Sequence, residues 1–185
     1  AVLDRALGDL HPAGNPHLHL DPRKVARVAP ALGARLAQLD PDGAADYTAR
    51  TAGFGRRWQA ATAAWQARAA PLRGVRVVTH HADFDYLLDW LGMARAGTLE
   101  PRAGLPPTPG HLAALLDALR DTPARAVLRT PYQDPKASAW LAQRAGIAAV
   151  ELPYTVGGAD GVNDLFGLFE VTIARLLEVT GDGQR

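Results

Sequence analysis

From Gly74 onward the sequence alternates short apolar runs with helical stretches, four times in succession. Val75–Thr79, Ala94–Leu99, Ala126–Arg129 and Ile147–Leu152 read as strands. Phe84–Leu91, Pro109–Arg120, Pro135–Arg144 and Gly161–Glu178 read as helices. Strands that each hand over to a helix cannot pair as hairpins. The pattern therefore predicts a four-stranded parallel sheet with helices on both faces, a doubly wound α/β lobe. The last helix should bury Val162, Leu165, Phe166, Phe169, Ile173, Leu176 and Leu177, which recur at helical spacing.

The first 73 residues are of a different kind. A Gly/Pro/His loop over Leu10–His19 leads to Asp21-Pro22, an N-cap followed by proline at the first helical position. The stripe Val25, Val28, Leu32, Leu36, Leu39 continues the helix to Asp40-Pro41-Asp42, where a second one starts. Tyr47, Phe54, Trp58, Trp65 and Leu72 lie on one face of it. Running to about Leu72, it would be roughly 45 Å long, either a core helix or a rigid spine joining two lobes. Gly53 and Gly55 leave room for a bend.

Composition removes several classes of function. With 20 basic and 19 acidic side chains the net charge is +1, too weak a field to draw nucleic acid or an anionic membrane. No apolar run approaches 18 residues, so no membrane-spanning helix is expected. Ala1-Val2-Leu3-Asp4-Arg5 does not read as a signal peptide, and an export signal is expected to lie outside this chain. The absence of cysteine excludes disulfides, thiolate metal sites and cysteine nucleophiles. The single serine, Ser138, falls inside a predicted helix, and neither a nucleophile elbow nor a phosphate-binding glycine motif is present. Val156–Gly161 could cradle an anion but reads better as a turn.

Histidine carries the remaining signal. His80 and His81 end the first strand, where open α/β sheets bind ligands. His17 and His19 sit two apart in the opening loop, so an extended segment would point both the same way. In a chain without cysteine, a transition-metal site has to be built from imidazole and carboxylate. His11 reads as a loop residue and His111 as a helix N-terminal residue. Glu100, at the end of the second strand, is the carboxylate placed to act as a general base. A small metal-dependent hydrolase using His80, His81 and Glu100 is one alternative, and a metal-free interaction module is another.

The string Gly14-Asn15-Pro16-His17-Leu18-His19-Leu20-Asp21-Pro22 resembles the Asn-Pro-His-x-Trp-x-Asp-Pro signature of the zinc/manganese-binding receptors of ABC importers (the ZnuA/TroA-like family, cluster A-I). Thr79-His80-His81-Ala82-Asp83-Phe84-Asp85-Tyr86 is similar to that family's strand-then-histidine segment. Gly97–Pro101, Pro107–Pro109, Leu152–Gly158 and Asp164–Phe169 continue the likeness in order. The resemblance implies two α/β lobes joined by a long helix, with metal in the cleft between them and no reaction catalysed. It implies that His17 and His81 are metal ligands, with His19 beside them, and that residues 1–40 are the remnant of an N-terminal lobe. Residues 41–73 become the connecting helix and 74–180 the C-terminal lobe. Most of the N-terminal lobe is expected to be missing, so the chain reads as a fragment with an incomplete, weaker site. Its exposed lobe-facing surface would be covered in a homodimer. Pro153-Tyr154 stands where the family has an aspartate, with Asp160 several residues on, and His19 stands where an aromatic is usual. Both favour zinc over manganese, which prefers oxygen donors. The implied partners are zinc and an ABC permease in the inner membrane, with no nucleic acid, and the implied location is the periplasm.

Overall fold

The computed structural model describes residues 14–181, with no side-chain description for 180 and 181. His11 and the tail after Gly181 lie outside the described residues. Six helices and four strands follow one another: α1 (Pro22–Leu39), α2 (Ala44–Arg68), β1 (Arg76–Thr79), α3 (Asp85–Leu91), β2 (Ala94–Thr98), α4 (Pro109–Asp121), β3 (Ala126–Arg129), α5 (Pro135–Ala145), β4 (Ala148–Glu151) and α6 (Leu165–Gly181). The sheet order is β2-β1-β3-β4, and every pairing is parallel.

Successive strand residues point to opposite faces, and two separate cores result. Val77, Ala126 and Leu128 pack with α2, α3 and α6 through Trp58, Trp65, Leu87, Phe169 and Ile173. Their neighbours Val78 and Val127 pack the other way, with Leu99, against Leu115, Leu119 and Leu141 of α4 and α5. The doubly wound arrangement expected from the sequence is therefore the one observed.

Three elements depart from the sequence reading. The long helix ends at Arg68, and Ala70–Leu72 forms a separate 3-10 turn containing Pro71. At 1.5 Å per residue its 25 residues reach about 37 Å rather than 45 Å. Gly53 and Gly55 pass within it without a break. The final helix begins at Leu165 instead of Gly161. Gly161 has a φ of +80°, outside the helical range, and the Asp164 side chain accepts the N–H of Gly167 at 2.8 Å. The third departure is on α1: Asp21 caps it as expected, accepting from Arg23 N–H at 2.9 Å, but of its apolar stripe only Val25 is buried. Val28, Leu32, Leu36 and Leu39 are exposed and, except for Leu39, line an open apolar groove shared with Phe54 and Leu165.

Side-chain hydrogen bonds fasten the helical hairpin within itself and to the lobe. Trp58 donates from its indole to the Pro22 carbonyl at 2.9 Å, fastening α2 to the start of α1. Glu170 of α6 accepts from Trp65 and Arg68 of α2, both at 2.6 Å. Gly33 permits the close crossing of α1 on α2, since a methyl there would lie 2.1 Å from the Thr51 hydroxyl oxygen. Among the described residues no helix is long and apolar enough to cross a membrane.

Candidate functional site

Three loops meet at the carboxyl edge of the sheet. The first is Asn15–Leu20, which enters α1. Its geometry depends on Asn15, which is 4% exposed. The Asn15 side-chain oxygen accepts the N–H of His17 at 2.9 Å, and its amide donates to the Ala82 carbonyl at 3.1 Å. Tyr86 of α3 donates to the Asn15 carbonyl at 3.0 Å. A residue separated from β1 by sixty positions is thereby locked onto the β1–α3 corner. Pro16 follows, and Leu18–Leu20 closes as a 3-10 turn that buries Leu20.

The second loop leaves β1 through His80 and His81. The third leaves β4 through Pro153 and Tyr154. His17 and His81 come together, with ring centroids 5.7 Å apart and planes nearly perpendicular. Each imidazole is held on its Nδ1 side. Tyr154 Oη lies 2.6 Å from Nδ1 of His17, and Glu100 Oε2 lies 2.8 Å from Nδ1 of His81. In both rings the nitrogen engaged in this way is Nδ1.

His19 is placed differently. Its Nε2 is 2.9 Å from the Tyr154 carbonyl, and its ring packs edge-on against the Tyr154 ring. Because a carbonyl only accepts, Nε2 carries the hydrogen, and Nδ1 is the one nitrogen His19 could offer a metal. His80 is buried, and burial lowers its pKa, so the neutral form is favoured. It does not share the His17–His81 contact. His111 lies in the first turn of α4, where its Nε2 meets the Thr98 carbonyl at 2.8 Å. Glu100, the candidate general base, accepts both from His81 and from the Gly104 N–H at 2.8 Å. The Val156–Gly161 segment is a turn: its Gly157 and Gly158 N–H groups bond to Val162 and Thr155 carbonyls.

Sequence reasoning passed over Tyr154, Asn15 and Asp83 as members of this site. Asp83 is 3% exposed, and burial pushes its carboxyl up to about 7, against the pull of His81 and of a hydrogen bond from Gln133 at 2.9 Å. Burial also pushes the Tyr154 phenol up, with the charges of Asp83 and Tyr132 adding to it. A neutral phenol, able both to donate and to accept, is what borders His17. Among the described residues, no group of three or more His, Asp or Glu side chains is arranged to hold a metal ion. The centre as built presents a pair of imidazoles, and a tetrahedral ion there would complete its shell with other donors.

The family model described as ZnuA, zinc-uptake complex component A, periplasmic, matches residues 4–179. The chain belongs to the ZnuA family. The high-affinity zinc uptake system protein ZnuA of Brucella abortus is 24% identical over 120 residues, which are 65% of this chain and 36% of that relative. The chain thus matches little more than a third of the length of its curated ZnuA relatives. A crystal structure of ZnuA superposes with a TM-score of 0.80 at 20% identity, covering 98% of this chain and 66% of that one. The laminin-binding adhesin Lmb from Streptococcus agalactiae gives 0.75 at 21% identity over 95% of this chain and 67% of its own. The solute-binding protein FpvC from Pseudomonas aeruginosa, solved with Mn2+, gives 0.74 at 23% identity over 92% and 65%. FpvC has also been solved with Ni2+. These likenesses carry the ZnuA fold onto this chain and match the parallel α/β architecture described above.

Proposed function

We propose that this chain is the metal-capturing part of a periplasmic receptor that binds zinc and delivers it to the permease of an ABC importer. The observation that carries the reading is the meeting of His17 and His81, 64 positions apart in sequence, with each ring held through its Nδ1. Family membership supports the same role. In this reading His17 and His81 are zinc ligands, and His19 is a neighbour able to join through Nδ1. Residues 1–40 carry the ligand loop of the N-terminal lobe, 41–73 the connecting helix and 74–180 the C-terminal lobe.

The role is capture and release, with no chemical transformation of a substrate. Nitrogen donors favour zinc over manganese, and the tyrosine at the position expected for a carboxylate pushes the same way. Competition calorimetry should find zinc bound more tightly than manganese. Titration of the chain with zinc tests the ligands. His17→Ala and His81→Ala should each weaken binding at least tenfold, and wild-type affinity in both variants would sink the assignment.

A further inference from the structure

We infer that Glu100 is the positioning residue of His81, and that the Glu100–Gly104 loop exists to fix which imidazole nitrogen meets the metal. The inference rests on the reading of His81 as a ligand and adds the device that prepares it.

The sheet itself brings the two residues together. β1 and β2 are parallel neighbours with Thr79 opposite Thr98. The chain remains paired beyond them, Leu99 N–H donating to the Thr79 carbonyl at 2.9 Å and Glu100 N–H to the His80 carbonyl at 3.1 Å. Residue 100 therefore runs alongside residue 81 as both leave the sheet. The backbone there is secured from the other side too: the Thr98 hydroxyl donates to the Glu100 carbonyl at 2.8 Å, and His111 of α4 bonds the Thr98 carbonyl.

The Glu100 carboxylate then has little choice of position. Its Oε2 accepts from His81 Nδ1 and from the Gly104 N–H, each at 2.8 Å. Gly104 reaches that position with a φ of +79°, a conformation that favours glycine. The Glu100 side chain is 16% exposed and that of His81 21%, so water competes weakly for the bond. A carboxylate only accepts, so the hydrogen of a neutral imidazole must reside on Nδ1. The lone pair is then on Nε2, which is the form a metal needs. The other described neighbours of the His81 ring do not impose this choice: His17 meets it edge-on, and Asp83 and Asp85 act on it through charge.

The test reads the tautomer and the affinity separately, on the whole chain. In metal-free protein labelled with nitrogen-15 at histidine, His81 should show the Nδ1–H tautomer at pH 8. Glu100→Ala should convert it to a mixture and weaken zinc binding about 10- to 100-fold. Glu100→Gln, whose amide oxygen can still accept, should keep the Nδ1–H form and recover part of the affinity. Glu100→Asp keeps the charge but withdraws the carboxylate by one methylene, and it should shift the tautomer as the alanine variant does. It serves if that variant fails to fold. A His81 tautomer unchanged in both Glu100→Ala and Glu100→Asp would overturn the inference, as would wild-type zinc affinity in both. If the tautomer shifts while His81→Ala binds zinc normally, the ligand reading fails and the tautomer assignment stands.

Discussion

At the scale of single residues, the site is assembled by the groups that hold its two imidazoles. Asn15 spends both ends of its amide on His17 and Ala82, and Tyr154 and Glu100 each take one nitrogen of an imidazole. Such outer partners raise the basicity of a ligand and fix its orientation. Zinc and protons compete for the same imidazole nitrogen, so binding by His17 and His81 has to depend on pH. Affinity should fall as the solution is acidified, by up to about tenfold per pH unit for each imidazole that becomes protonated. Calorimetric titrations at pH 7.5, 6.5 and 5.5 check this, and a constant affinity across the series would argue against imidazole ligands. The histidines were legible in the sequence because they are scarce and stand at a strand end and in a proline-bounded loop. Tyr154 was not legible as the partner of His17, since 137 positions separate them and only the order of strands in the sheet closes that distance. Asp83 was hidden by its company: between His81 and Phe84, nothing in the spacing marks it as buried.

At the scale of elements, the α2–α6 contact joins the helical hairpin to the lobe. Trp58, Trp65, Phe166 and Phe169 form a continuous aromatic cluster there, and Glu170 bridges it to Trp65 and Arg68. Burial works to raise the Glu170 pKa, but the hydrogen bonds from Trp65 and Arg68 outweigh it and the net shift is downward. A carboxylate whose folded pKa lies below its unfolded value near 4.5 adds stability above that value. The contribution fades as pH falls through the lower, folded pKa. Glu170→Gln should therefore lower the melting temperature at pH 7 and leave it nearly unchanged at pH 3. The side chain is half exposed, so the effect should be modest, about 1 kcal/mol or less. An equal loss at both pH values would mean that the carboxylate acts through packing. Element types and order followed from periodicity and proline placement, and the errors fell at ends. α2 stopped early because Ala69 and Pro71 begin a tighter turn. α6 started late because Asp164 offered a better cap than the glycines before it.

At the scale of the whole molecule, one surface stands out. Val28, Leu32, Leu36 and Leu39 on α1 form an exposed apolar stripe, although their spacing is that of a buried helix face. Periodicity reports that a face is apolar; it cannot report what covers it. The homodimer expected from the sequence would close this face. Sedimentation at high concentration should then give a dimer that Leu32→Glu disperses, and a monomer throughout would refute it. The fold was legible because alternating strands and helices admit few arrangements, and the parallel order β2-β1-β3-β4 is one of them. The same order puts the loops after β1, β2 and β4 at one edge, where His81, Glu100 and Tyr154 converge around His17. Zinc-edge anomalous diffraction from crystals grown with zinc tests this arrangement most directly. A single strong peak is expected between the two rings, roughly 2.0–2.1 Å from Nε2 of His17 and of His81. A peak bound elsewhere, or one meeting either histidine through Nδ1, would contradict it.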